Sequence, residues 1–143
     1  MANRFFNQFQ GTLQKGVVTL YAKVTFDAGG VPTLVTSEVI NALTSPVTIN
    51  PSNGFASVTK TGTGAYTFLL QDPYVRMLDF SGIKTDGNPP AVIPVVAGDL
   101  VNVSAAPEIL VQLGEASGAG FAPADPASTT MLFSVTLANS TAL

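Results

Sequence analysis

The residues that could carry out chemistry in this chain are few. The 143-residue sequence contains no histidine and no cysteine. The commonest general base and metal ligand is therefore missing, and so is the thiol nucleophile. A serine nucleophile needs a tight Gly-x-Ser-x-Gly turn or a lysine base, and Ser117, within GEASG, lacks that spacing. This inventory argues against an enzyme.

Two carboxylates, Asp72 and Asp79, are the remaining catalytic candidates, since a pair of acids can hydrolyse a glycosidic bond. The interpretation we favour is that Asp72 begins a turn before Pro73 and that Asp79 faces solvent. No Asp-x-Asp-x-Asp-Gly calcium loop occurs, and the two glycines of residues 61–64 lack the third that a dinucleotide loop needs. We therefore expect no catalytic residue, no metal and no cofactor.

The surface must be unusually poor in charge. Charged residues make up 10% of the chain, against about 25% in a typical soluble domain. One interpretation is that partners cover much of the surface, because a lone protein with so few charges has little colloidal protection. The other is a neutral, polar surface on a soluble monomer.

The net charge of −3 and the placement of the basic residues bear on partners and location. The six basic residues are scattered, which argues against nucleic-acid binding; they are Arg4, Lys15, Lys23, Lys60, Arg76 and Lys84. No apolar run is long enough for a signal peptide or a membrane span. We expect a soluble protein made in a cytoplasm.

Alternation of apolar and polar residues predicts strands with one buried face. It is clearest at residues 17–26, where Val18, Leu20, Ala22, Val24 and Phe26 share a face, and it recurs at 109–113 and 130–138. Glycines at 61–64 predict a hairpin between residues 54–60 and 65–71. Further strands are expected at 32–35, 47–49, 75–83 and 92–96.

Three segments are predicted to be irregular. Residues 37–45 suit a short helix or an irregular crossing, Gly98 and Asp99 are expected to end the strand before them, and residues 114–128 are rich in small residues and suit an exposed loop, like 85–90. About seven to nine short strands result. The fold class is all-β: a single-domain antiparallel β-sandwich, jelly roll or closed barrel spanning residues 17–143.

Residues 1–16 form a separate N-terminal arm in this interpretation. The segment carries Phe5, Phe6 and Phe9 with Arg4 and Lys15, and it contains no acid. Aromatic side chains are preferred anchors at protein interfaces. The arm lies on a neighbouring subunit, covers the core of its own domain, or is disordered.

The central hairpin resembles a segment of small virion proteins from tailed bacteriophages. The matching stretches are residues 54–74 (GFASVTKTGTGAYTFLLQDPY), residues 76–78 (RML) and residues 124–140 (ADPASTTMLFSVTLANS). One departure is Ala138, where many members of that family have an arginine. The resemblance implies a capsid decoration (cement) protein: a compact β-fold that sits as an oligomer on the outer shell and locks neighbouring major capsid subunits together.

The expectations that follow concern partners and contact residues. The partners would be the major capsid protein and other copies of the chain, as a homotrimer or a dimer, on the exterior of the virion. The contact residues we predict are Arg4, Phe5, Phe6, Phe9, Lys15, Asp86 and Asn88. The alternative function is a tail or head-fibre component that binds the host surface.

Overall fold

The computed structural model describes residues 16–41, 44–86, 92–118 and 120–139, and within these ranges every regular element is a β-strand. In chain order the strands are β1 Val17–Phe26, β2 Pro32–Leu34, β3 Glu38–Asn41, β4 Pro46–Ile49, β5 Phe55–Gly62, β6 Ala65–Leu70, β7 Arg76–Lys84, β8 Ile93–Leu100, β9 Glu108–Ser117, β10 Gly120–Pro123 and β11 Thr129–Ala138. In the described part, no helix has the length and apolar character to cross a membrane.

The first sheet has the order β2-β1-β11-β7, with every neighbouring pair antiparallel. Strand β11 lies in the middle and pairs with β1 along ten residues, from Val17 opposite Ala138 to Phe26 opposite Thr129. Because side chains alternate between faces, this register puts the apolar sets of both strands on one side. The predicted strands at 17–26 and 130–138 are confirmed.

The second sheet is built around β9, which lies between β6 and β8. Strand β5 pairs with β6 at one edge, and β10 pairs with the far end of β9. The predicted hairpin is confirmed, although β5 runs on to Gly62 and only Thr63 and Gly64 turn. Gly64 has φ +67°, and a Cβ there would lie 2.3 Å from the Leu113 carbonyl oxygen, so this tight turn needs glycine.

The inner faces of the two sheets meet in an aromatic core. The ring of Phe68, from the second sheet, lies edge-on to Phe133 and Phe80 of the first sheet, with ring centres 4.9 and 5.7 Å apart. Phe55 lies edge-on to the same ring at 6.0 Å. Two antiparallel sheets joined by such a core are a β-sandwich, as the sequence predicts. The finer prediction of a jelly roll stays a prediction.

Three local predictions were wrong. Residues 38–41 of the segment expected to be a helix or a crossing form strand β3, whose partner is β4. Gly98 and Asp99 do not end β8, because a shift in register between Val96 and Gly98 lets the strand continue to Leu100. Residues 114–128 are not all loop, since β9 extends to Ser117 and β10 pairs back on it.

These corrections raise the strand number to eleven in the described residues, above the seven to nine expected. The added strands are short pieces whose pairing partner is the adjacent strand in the chain. The predicted boundary between an arm at 1–16 and a domain at 17–143 stays a prediction, because residues 1–15 lie outside the described part.

Candidate contact surfaces

Most of the predicted contact residues lie outside the described part of the chain: Arg4, Phe5, Phe6, Phe9, Lys15 and Asn88. Asp86 is described. Its carboxylate lies 3.5 Å from the Lys84 ammonium, and it lines a shallow cleft of about 270 Å³ together with Thr25, Thr85 and residues 128–130. The described residues that could contact a partner are therefore those exposed on the faces of the sheets.

The outer face of the first sheet is a surface dominated by hydroxyl groups. We call it the hydroxyl face and define it by the outward residues of β1 from Thr19 to Thr25 and by the outward residues of β11 and β7 beside them. These are Thr19, Tyr21, Lys23, Thr25, Asp79, Ser81, Ile83, Thr130, Leu132, Ser134 and Thr136. Some hydroxyls contact each other across strands: Ser81 and Ser134 at 2.7 Å, and Thr19 and Thr136 at 3.3 Å.

Exposed apolar groups stand among these hydroxyls. Tyr21 is 64% exposed, Ile83 61% and Leu132 40%. The face has two charged residues, Lys23 and Asp79, and Arg76 is exposed just beyond its end. Lys23 is held in an ion pair with Glu38 at 2.5 Å. A surface that combines exposed apolar side chains with few free charges resembles the centre of a protein interface, where charged residues are depleted.

A second exposed apolar surface is the two-stranded sheet of β3 and β4, which we call the exposed hairpin. Ile40, Val47 and Ile49 share one of its faces, and all three side chains are exposed. On the other face Val39 is exposed as well. A hairpin with neither face in the core receives little stability from burial, and isolated two-stranded hairpins are marginal in water.

The outer face of the second sheet is also poor in charge. Ile93 and Val95 of β8 are exposed there, and Gln112 and Leu110 of β9 lie beside them. Both broad faces of the sandwich therefore carry few charges, as the low charge content of the sequence predicts. The most exposed large side chains, Tyr21 and Ile83, are on the hydroxyl face.

Three described ionisable residues, Lys60, Tyr66 and Asp125, form a partly buried cluster. The Asp125 carboxylate accepts hydrogen bonds from the Lys60 ammonium at 2.8 Å, the Gly64 backbone N–H at 2.8 Å and the Tyr66 hydroxyl at 3.0 Å. Tyr66 also donates to the Gly30 carbonyl at 2.8 Å. These bonds tie the β5–β6 turn to the loop before β11.

The cluster shifts two pKa values in opposite directions. Burial, together with the hydrogen bond to Asp125 and its charge, raises the pKa of Tyr66 far above its ordinary value. Burial alone would raise the pKa of Asp125 too, but the hydrogen bonds from Lys60, Gly64 and Tyr66 outweigh it and lower that pKa. A proton fixed on Tyr66 and a carboxylate fixed on Asp125 suit a structural link between loops.

The two carboxylates considered for hydrolysis lie on different parts of the fold. Asp79 is on the outer face of β7, opposite Thr136, whereas Asp72 follows β6 in the other sheet. The described residues contain no group of three or more acidic, histidine or cysteine side chains placed to hold a metal ion.

Sequence reasoning missed the hydroxyl face and the exposed hairpin as surfaces. The outward residues of β1 and β11 were visible as the polar half of each alternation, but their assembly into one face depends on the pairing of strands distant in the chain. Comparisons with protein-family models, curated proteins and solved structures found no match for this chain.

Proposed function

We propose that this chain is a virion structural protein that decorates the outer surface of a bacteriophage head and stabilises contacts between major capsid subunits. The observation that carries the proposal is the hydroxyl face, a broad charge-poor surface with Tyr21, Ile83 and Leu132 exposed at its centre and edges. The resemblance of residues 54–74 to small virion proteins supports the major capsid protein as the partner.

The physical argument for a shell-binding role concerns desolvation. Burying a charge without a partner costs several kcal/mol, whereas hydroxyls and aliphatic groups are cheaper to cover. A face whose Lys23 is already neutralised by Glu38 loses little when a protein surface replaces water. Such a face suits permanent attachment to a large, rigid partner.

The size of the face explains why copies would act together. Three strands about 4.8 Å apart and seven residues about 3.4 Å apart span roughly 14 by 24 Å. That is smaller than the ~800 Å² per partner of a standard stable interface. A single copy would bind weakly, and we infer that a homotrimer or dimer, which presents several faces at once, supplies the missing affinity through multivalency.

The test is binding of the purified protein to phage heads that lack it. Leu132→Lys places a charge on the middle strand of the hydroxyl face, and we expect it to weaken shell binding at least about tenfold, because interface energy concentrates near the centre. Co-sedimentation with the heads measures binding, and release of the packaged DNA on heating measures stabilisation.

The matched control is Val95→Lys, at a similarly exposed aliphatic residue on the opposite face of the sandwich. It should bind shells like the unchanged protein. If both variants bind normally, the hydroxyl face is not the contact surface. If the unchanged protein does not bind shells but binds host cells, the head-decoration role is wrong and the tail or head-fibre function is supported.

A further inference from the structure

The backbone hydrogen bonds of β1 follow a strict alternation. The Gly16 carbonyl accepts from the Asn139 N–H, so Gly16 and Asn139 form a hydrogen-bonded pair that continues the β1–β11 register. In an antiparallel ladder such pairs recur at every second residue. Val18 and Leu20 therefore bond to β11, while Val17, Thr19 and Tyr21 point their N–H and C=O groups to the other edge.

On that other edge, the backbone groups of β1 have hydrogen-bond partners among the described residues only in the second half of the strand. Thr25 lies opposite Thr33 of β2. The Lys23 carbonyl accepts from the Val35 N–H at 2.8 Å, and the Lys23 N–H donates to the Ser52 hydroxyl at 2.9 Å. Among the described residues, backbone pairing on this side ends at Lys23.

The remaining three residues, Val17, Thr19 and Tyr21, form what we call the open edge. No described residue bonds to their outward backbone groups. Natural proteins protect such edges with charged side chains, proline or bulges, but here the side chains are uncharged and β1 has no irregularity in its register with β11. An unprotected edge of this kind is a template for an added strand.

We propose that the open edge pairs with a strand formed by residues 1–15 of a second copy of the chain. Charge supports this occupant. The segment holds two basic residues, Arg4 and Lys15, and no acid, whereas the rest of the chain holds four basic and nine acidic residues, a net charge of −5. Opposite charges favour association of the segment with the body, and Phe5, Phe6 and Phe9 supply apolar anchors.

The entry into β1 favours a second copy over the chain's own segment. Gly16 lies in a turn directly before β1, and its carbonyl accepts from the N–H of Asn139, which directly follows β11. For the chain's own segment to pair with the open edge, the chain would have to reverse within residues 11–16 (GTLQKG), although the Gly16 carbonyl is already bonded to Asn139. A segment from a neighbouring copy needs no such reversal. Fifteen residues extend at most about 50 Å, and pairing along the open edge takes roughly 17 Å, so a neighbour is within reach.

The test is amide hydrogen exchange, read by NMR on the free protein. The Thr19 and Tyr21 amides should exchange at least about tenfold more slowly in the full chain than in a variant without residues 2–15. The Val18 and Leu20 amides, which bond to β11, are the internal control and should stay protected in both. Mass measurement should show an oligomer for the full chain and a monomer for the shortened one.

A second pair of variants separates edge pairing from loss of folding. Thr19→Pro removes an N–H that β11 does not use, so the sandwich is retained and association is lost. Thr19→Val keeps the N–H and should associate normally.

Protection that persists in a dilute monomer would assign the edge to the chain's own segment and overturn the proposal. Association that survives Thr19→Pro or the truncation would overturn it too. Since no shells are present, this result is independent of the proposed head-decoration function.

Discussion

At the scale of single residues, the cluster of Lys60, Tyr66 and Asp125 links parts of the chain that are far apart in sequence. Tyr66 is 1% exposed and donates to both Gly30 and Asp125. The sequence does not reveal this cluster, because Lys60 and Asp125 are 65 positions apart and Asp125 lies in a segment expected to be an exposed loop. No local pattern links residues that the fold alone brings together.

The raised pKa of Tyr66 predicts a loss of stability in alkali. In the unfolded chain tyrosine loses its proton near pH 10, about where model peptides titrate, while Tyr66 in the folded protein keeps it. Above pH 10 the folded state binds more protons than the unfolded state, so the free energy of unfolding falls, by up to ~1.4 kcal/mol per pH unit from this residue. Urea unfolding between pH 8 and 12 measures the slope.

Tyr66→Phe should remove the part of the alkaline slope that Tyr66 supplies and leave the part that Tyr74 supplies, because burial raises the pKa of Tyr74 as well. The substitution also lowers stability at neutral pH through the lost hydrogen bonds. Tyr21→Phe, at an exposed tyrosine, is the control and should leave the slope in place. An unchanged slope in Tyr66→Phe would show that other groups govern the alkaline limit.

At the scale of elements, prediction from sequence succeeds where a strand has one buried face. β1 and β11 alternate over ten residues, and both were predicted within one residue of their ends. β3 and β10 were missed because their residues are exposed on both sides, so no alternation marks them. Pairing with an adjacent strand in the chain, β4 for β3 and β9 for β10, makes them strands, and burial does not.

The exposed hairpin should contribute little to the stability of the isolated protein. Ile40→Thr and Val47→Thr keep β-branched side chains on a ribbon outside the core, and each should change the free energy of unfolding by less than about 0.5 kcal/mol. Chemical denaturation measures the change. A loss above about 1.5 kcal/mol for either variant would mean that the hairpin packs against the body of the protein.

At the scale of the whole molecule, the ring of Phe68 lies where the two sheets meet. Phe68 is fully buried and contacts Phe55, Phe80 and Phe133. In the sequence, Tyr66, Phe68 and Leu70 alternate on one face of the second arm of the hairpin. The aromatic residues of the other sheet that Phe68 contacts could not be predicted, since they depend on how the two sheets are placed against each other.

Phe68→Ala should therefore lower the free energy of unfolding by about 3–5 kcal/mol, because it removes apolar contacts on both sides and leaves a cavity. Leu132→Ala, at a half-exposed residue of the same sandwich, should change it by less than about 1 kcal/mol. Both values follow from denaturant midpoints and slopes. Similar losses for the two variants would contradict the assignment of Phe68 to the centre of the core.

The central position of β11 has a consequence for synthesis of the protein. Thr19 and Thr136 face each other although 117 positions separate them, and closing a loop of that length costs about 4 kcal/mol of chain entropy beyond a constant. While the chain leaves the ribosome, β1 and β7 have to wait for the strand that belongs between them. The nascent chain can form its local β5–β6 hairpin early, but the first sheet assembles only once β11 has emerged, so folding is slow and late.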